Sequence, residues 1–366
     1  MGKVSIVKIE KGVQQSLVKA LYLVGGLSSF VSQGDRVLLK PNLNGVEGCT
    51  NIELFEALLV LLRDYGVKNI VIAESTFGDA RTTEMFFNKT GYRELAKKHS
   101  IPLINLNESE ILEITVKNPL LLDKLRIAKE VFEADKIINL PNMKVHYATG
   151  ITLALKNLKG LLVGGEKRHF HEAGLDKAIT DLNNTIKAHL HIVDAISCME
   201  RMGPRGGDIV QMNFIMAGAN AVEVDYVGMQ IMGYSLDEVK HLKYCIESQK
   251  VDINEIEVVG ESIENTRRPF EKVKLSNIIP KEFSILDSGA CSSCMNTFLL
   301  SCSLLEGASG QNAEIHLGSA RQEKKSDEFL KIAFGNCTPD DGTFDIRIRG
   351  CPPYPFALHE LLKKQS

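Results

Sequence analysis

The chain has 366 residues, 44% of them hydrophobic and 24% charged, with a formal net charge of −3. That length suits two domains with a sizeable core, and the balance is that of an ordinary soluble globular protein. The near-neutral charge excludes a global signature of nucleic-acid or membrane-surface binding, and the longest apolar runs, such as residues 58–62, are far too short to span a bilayer.

In chain order, residues 1–8 alternate apolar and polar side chains with no long apolar stretch behind them, so we expect no signal peptide and a cytoplasmic protein. Residues 4–9 predict an edge strand, 12–26 a helix and 36–39 a short buried strand. That strand runs into the polar turn Lys40-Pro41-Asn42-Leu43-Asn44-Gly45, followed by a helix over 54–64. A strand over 69–73 ends at Glu74-Ser75, a helix covers 84–98, and 102–106 is a third strand. Strand, polar turn and helix alternate, which predicts an α/β fold with a mostly parallel sheet flanked by helices. In such sheets ligands bind beyond the carboxyl ends of the strands, where Lys40, Asn42, Asn44, Glu74 and Ser75 fall.

The middle of the chain is denser in chemistry. A strand over 134–140 leads into Pro141-Asn142-Met143-Lys144-Val145-His146, and a helix predicted over 151–162 carries Lys156, Asn157 and Lys159. The stretch 164–174, with Lys167, Arg168, His169 and His171, reads as a loop, followed by a helix over 176–187. A strand over 189–196 contains Asp194 and feeds Glu200, Arg201 and Arg205. From Lys144 through Arg205 there are nine Lys or Arg and five His against six Asp or Glu. Such a local excess of cationic and hydrogen-donating groups suits a small anionic substrate bearing carboxylate or phosphate. Gly160–Arg168 superficially looks like a phosphate loop, but its lysine does not follow the required glycine and no Ser or Thr follows the lysine. The two H-x-H pairs, His169/His171 and His189/His191, would aim both rings to one face if they lay on strands. Helices are expected over 223–233 and 236–246, and residues 258–261 close the α/β part.

A domain boundary near residue 280 divides a 1–280 α/β domain with a candidate cleft from a smaller 281–366 α/β domain rich in cysteine. Strands over 284–287, 313–317, 329–334 and 344–348 alternate there with helices over 295–305 and 355–363. Cys291, Cys294, Cys337 and Cys351 follow the first, third and fourth of those strands with the spacing C-x2-C-x42-C-x13-C. Eight cysteines without a secretion signal imply a reducing compartment, which favours metal ligation over disulfides. Four thiolates in Gly- or Pro-rich turns suit tetrahedral zinc or one four-iron, four-sulfur cluster. Structural zinc usually gathers two close Cys pairs and only one exists here, so a [4Fe-4S] cluster is preferred, with zinc as the alternative. Cys198, Cys245 and Cys302 read as core or helix-face thiols, and Cys49 as a turn residue.

The run 134–146 followed by Gly150-Ile-Thr-Leu-Ala-Leu-Lys156-Asn157-Leu158-Lys159-Gly160 resembles the central motif of the uncharacterised family called domain of unknown function 362. Lys167-Arg168-His169, Ile192-Val193-Asp194, Gly203-Pro204 and Ala221–Asp225 follow that pattern in order, and Leu38–Leu43 resembles its opening motif. The resemblance implies an association with iron–sulfur proteins, many members carrying a ferredoxin-like segment. This chain lacks C-x2-C-x2-C-x3-C-P, so the resemblance implies one cluster rather than two. The polar turns and Gly-Tyr pattern of the first 110 residues also resemble the N-terminal part of nickel-dependent lactate racemases.

Together these readings predict an iron–sulfur oxidoreductase. Lys144, His146 and His171 are its candidate catalytic groups. Lys40, Asn42, Lys156, Asn157, Lys159, Lys167, Arg168 and Arg201 are its candidate substrate ligands. Electrons would pass to an anionic organic substrate or to flavin, the candidate second cofactor, with a redox partner protein as candidate donor. The alternatives are a non-redox acid–base enzyme, racemase-like, with a structural zinc or cluster, and an electron-carrier module. The oligomeric state is left open.

Overall fold

Short apolar runs bounded by polar turns become strands throughout the chain. The computed structural model describes residues 2–77, 79–305, 312–319, 329–340 and 342–363. Two compact units emerge, Met1–Lys272 and Val273–Ser366. In the large unit the strands are β1 Lys3–Lys8, β2 Arg36–Lys40, β3 Asn69–Glu74, β4 Leu103–Asn105, β5 Ile111–Thr115 and β6 Lys124–Ala128. They continue with β7 Lys136–Asn139, β8 Asn142–His146, β9 Gly150–Thr152, β10 Leu190–Glu200, β11 Asp208–Gly218 and β12 Glu257–Gly260. Ten of them form one mostly parallel sheet in the order β12-β1-β11-β10-β7-β2-β3-β4, with β8 on β10 and β9 on β8, while β5 and β6 form a separate hairpin.

This order places a switch point between β2 and β7. From β2 the chain moves through β3 to β4 on one side, then returns to β7 and β10 on the other. Ligands of open α/β sheets bind beyond the carboxyl ends of strands at such a reversal. There Lys40 stands opposite Asn139 in the β2–β7 register. Further along, the long β10 pairs Asp194 with Asn142 and Met199 with Lys144 of β8. The sheet is covered by helices whose apolar stripes face inward. Val13–Leu23 buries Leu17 and Leu21, and Ile52–Tyr65 buries Leu54, Leu58 and Leu62. Asn51 starts the second of these by accepting from the Glu53 and Leu54 amides, at 2.9 and 3.1 Å.

Several local expectations are corrected. The strand predicted at 4–9 is not an edge, because β12 pairs with its outer side. The helix predicted over 84–98 is two helices, Ala80–Lys89 and Tyr92–Lys98, broken at Gly91 with φ 80°. Residues 142–146 and 208–218, without a strand assignment in the sequence reading, are β8 and β11. The span 151–162 is strand, then the short helix Ala154–Asn157, then a 3₁₀ turn. Its helix begins only where Asp225 Oδ1 accepts from the Ala154 amide at 2.7 Å and Oδ2 from that of Leu155 at 3.0 Å. The loop expected at 164–174 contains the helix Glu166–Ala173. His169 and His171 therefore lie two residues apart on a helix and diverge, rather than sharing a strand face.

The small unit is a parallel sheet of β13 Phe283–Ser288, β14 Ala313–Gly318, β15 Leu330–Phe334 and β16 Ile346–Ile348, in that spatial order. The helices Ser292–Ser303 and Ala357–Lys363 complete it. The first starts three residues earlier than expected, with Cys291 as its N-cap residue. No helix among the described residues is long and apolar enough to cross a membrane.

Candidate functional site

At the switch point a buried chain of amides ties the strand ends together. Asn139 Nδ2 donates to the Ala154 carbonyl at 2.9 Å and meets His191 Nδ1 at 3.1 Å. Asn157 Nδ2 donates to Asn139 Oδ1 at 2.8 Å, and Asn42 Nδ2 to Asn157 Oδ1 at 2.8 Å. Lys144 Nζ then donates to Asn42 Oδ1 at 2.8 Å and to the Gly48 carbonyl. Every amide in this chain has a partner, so it fixes the β2 and β7 turns against the Ala154–Asn157 helix. Asp194 adds the third side by accepting from the Asn51 and Ile196 amides and from Asn142 Nδ2, at 2.8, 3.0 and 2.9 Å.

Two lysines are committed to the frame. Lys40, 0% exposed, donates to Glu74 Oε2 at 2.5 Å and to the Pro41 carbonyl at 2.8 Å. Lys167 donates to the Ser75 carbonyl and hydroxyl and, at 2.9 Å, to the Thr76 carbonyl, which engages all three of its protons. These contacts hold the turns rather than offering free charge.

A second group of basic side chains gathers around Lys156. His146 on β8, Lys156, Lys159, His171 on the helix Glu166–Ala173 and His241 on the helix Lys240–Gln249 lie within electrostatic reach of one another. His146 and His241 are buried, whereas Lys156 and His171 are only part-buried and open the group to solvent. Lys159 Nζ meets His171 Nε2 at 2.9 Å, and Tyr147 stacks on His146 with ring centroids 5.1 Å apart. The Lys156 amine makes no hydrogen bond or ion pair among the described residues. Burial, then the neighbouring Lys144 charge, pulls its pKa down to about 7. Burial brings Lys144 to about 8 and Lys167 to about 7, and pushes Lys159, His146 and His171 well below their ordinary values. The common cause is desolvation of cations with few carboxylates among them, which an incoming anion would relieve.

Arg168 and Arg201 are not brought into this group. Arg168 is exposed and ion-paired to Glu172 on its own helix, 3.3 Å away. Arg201 is exposed and bonded to Asp208 and Glu271, at 2.7 and 3.0 Å. Sequence reasoning also passed over Asn139, Asp176 and His241, and weighed His191 only as half of an H-x-H pair. Asn139 does stand at a predicted strand end beside the polar turn, a signal that could have found it. His241 sits in an amphipathic helix, where a histidine facing the core gives no local sign of its partners.

In the small unit the turns bearing the cysteines are laced together. The Gly335 amide donates to the Ile348 carbonyl at 2.9 Å, Asn336 N to the Gly350 carbonyl at 3.0 Å, and Gly350 N to Asn336 Oδ1 at 2.8 Å. This joins the loop after β15, with Cys337, to the loop after β16, with Cys351. A Cβ on Gly335 (φ 103°) would stand 3.3 Å from Cys294 Sγ, so the glycine lets that loop close on the thiol. The Cys294 thiol is pushed up by its hydrogen bond to Cys291, by burial, and by the charges of Cys291, Cys351 and Cys337, which lie within electrostatic reach of it. Among the described residues no three His, Cys, Asp or Glu side chains stand where they could hold a metal ion. By donor type alone, four cysteine thiolates suit a zinc ion or an iron–sulfur cluster.

The family described as "Domain of unknown function (DUF362)" matches residues 37–230. A thylakoid-associated protein of Synechocystis sp. is 32% identical over 228 residues, covering 59% of this chain and 69% of that protein. Among solved structures, the lactate racemase apoprotein of Thermoanaerobacterium thermosaccharolyticum aligns with a TM-score of 0.44 at 14% identity, covering 86% of this chain and 69% of that one. A Thermotoga maritima protein aligns with a TM-score of 0.41 at 12% identity, covering 86% and 72%.

Proposed function

The chain belongs to the family described as domain of unknown function (DUF362), and on that premise we propose that it is an iron–sulfur oxidoreductase acting on a small anionic compound. The observation that supports the reading is the lacing of the turns that bear Cys337 and Cys351, together with the close approach of Gly335 to Cys294 Sγ, whose thiol is hydrogen-bonded to Cys291. Those four thiolates would hold one [4Fe-4S] cluster, which when bound supplies electrons singly. In the large unit Lys156 and Lys159 hold the carboxylate or phosphate of the substrate by charge. His171 orients Lys159 through their 2.9 Å contact. His146 accepts at Nδ1 from the Ala148 and Thr149 amides, at 3.1 and 3.3 Å, so its proton is on Nε2 and is available to a substrate oxygen. Asn42, Asn157 and Lys144 keep the floor of the site rigid. Flavin is the candidate electron acceptor should no organic substrate take the electrons directly.

The test is anaerobic purification with iron, sulfide, zinc and flavin analysis and a spectrum before and after dithionite. About four irons and four sulfides per chain, with a broad band that bleaches on reduction, are expected. One zinc and no colour would remove the redox reading and leave the lysine and histidine group as an acid–base site for an anionic substrate.

A further inference from the structure

His241 is 0% exposed, yet it lacks the hydrogen bonds a buried imidazole requires. Its Nδ1 has one polar neighbour, Asp176 Oδ1 at 3.4 Å, and its Nε2 has no hydrogen-bond partner among the described residues. Asp176 is tied to the same residue a second time, because its Oδ1 also accepts from the His241 amide at 3.2 Å. The helix Lys240–Gln249 is held against the site from the other side as well. Gly150, opposite His146 in the β8–β9 register, packs so closely on the Glu238 carbonyl that a Cβ there would come within 2.6 Å. Lys156 and His146 lie within electrostatic reach of the His241 ring, and Asp176 Oδ1 is 3.4 Å from its Nδ1.

We propose that His241 is the proton acceptor of this site, its Nε2 kept unprotonated by Asp176 for an O–H group of the bound anion, opposite His146, whose Nε2–H is the donor. The inference rests on the anion-binding reading above and adds the ligand's second feature: beside the carboxylate or phosphate it carries a hydroxyl group. The carboxylate of Asp176, 3.4 Å from Nδ1, favours the Nδ1–H tautomer of His241, which leaves the lone pair on Nε2. His146 is fixed in the opposite tautomer by two backbone amides. A proton leaving the ligand oxygen would pass to His241 Nε2, and the resulting imidazolium would be balanced by Asp176; the reverse step returns it. Asp176 is a positioning residue, since it acts through the ring.

The decisive measurement is nitrogen NMR of imidazole-labelled protein, which reads tautomers without any ligand. His241 is expected as the Nδ1–H form and His146 as the Nε2–H form, with Asp176→Asn shifting His241 toward Nε2–H. An Nε2–H His241 in the wild type, or one unmoved by Asp176→Asn, would overturn the proposal. A binding comparison of glycolate with acetate adds the ligand side. The wild type should prefer glycolate by about tenfold or more, and His241→Gln should lose that preference while still binding acetate. Equal binding of the two acids by the wild type would remove the role of His241 and leave the anion reading standing. Binding of neither acid nor inorganic phosphate would remove both.

Discussion

The Lys156→Met variant is expected to bind small carboxylates and phosphate at least about 100-fold more weakly, the loss of one charge-assisted contact of roughly 2–3 kcal/mol, and yet to unfold at a higher temperature than the wild type without ligand. Both effects come from the same amine. Its amine makes no hydrogen bond or ion pair among the described residues, and burial, then the Lys144 charge, brings its pKa from the ordinary 10.5 to about 7 against the weaker pull of Asp176. A lysine depressed in this way destabilises the empty site, on the order of a few kcal/mol at pH below the folded value. The sign with pH follows from proton counting. Below about 7 both folded and unfolded chains hold the proton and the penalty is constant. Between about 7 and 10.5 the unfolded chain still holds a proton that the folded chain has released, so stability rises with pH across that window. Methionine keeps the apolar stem and removes the slope. The same counting predicts that an anion binding at about pH 8 draws a proton from solution. Melting curves at acidic and alkaline pH, with calorimetry in buffers of different ionisation enthalpy, measure all three. A variant that melts lower at every pH and binds anions as before would make Lys156 a packing residue.

How much of this site could be read in the sequence follows from where each residue's partners lie. Lys40, Asn42 and Glu74 were legible because the carboxyl end of a buried strand is a position that pattern alone locates. The spacing of the four cysteines and the Gly/Pro turns that carry them are local features that pattern reads directly, whereas the convergence of their sulfurs depends on the fold. Lys144 and His146 were picked for their chemistry but assigned to a turn. Their strand is buried on both faces, so the polar residues that serve the site interrupt the apolar alternation that would have revealed it. With β8 and β11 missing, the central place of β10 and the reversal between β2 and β7 could not be seen. The committed state of Lys40 and Lys167 was equally hidden, since Glu74 and the Ser75 and Thr76 carbonyls meet them only in the folded sheet. Arg168 and Arg201 show the converse: a cationic side chain near a motif looks like a ligand until its own helix or a surface carboxylate claims it.

Lys40→Met is expected to have the largest effect on stability, about 3–5 kcal/mol, because it leaves the Glu74 carboxylate buried and uncompensated. The pair lies at 0% and 4% side-chain exposure with 2.5 Å between nitrogen and oxygen. Desolvation lowers the Lys40 pKa against the pull of Glu74, so even the intact pair is held at a cost, and removing one partner is worse than removing both. The roof of the pair explains why solvent cannot rescue it. A Cβ on Gly160 would stand 2.0 Å from Glu74 Oε1 and 2.4 Å from Lys40 Nζ, so the backbone of residue 160 already occupies the space a water would need. The double variant Lys40→Met/Glu74→Leu should regain most of the loss, to within about 1–2 kcal/mol of the wild type. Denaturant unfolding of the four corners of this cycle measures the coupling. A single variant losing less than about 1 kcal/mol would mean that Glu74 is already neutral in the fold, with the 2.5 Å contact a neutral hydrogen bond instead of an ion pair. Gly160→Ala supplies the independent check, because a methyl group there presses on the same two atoms. Its cost should shrink in the Lys40→Met/Glu74→Leu background, where the charges it would force apart are gone.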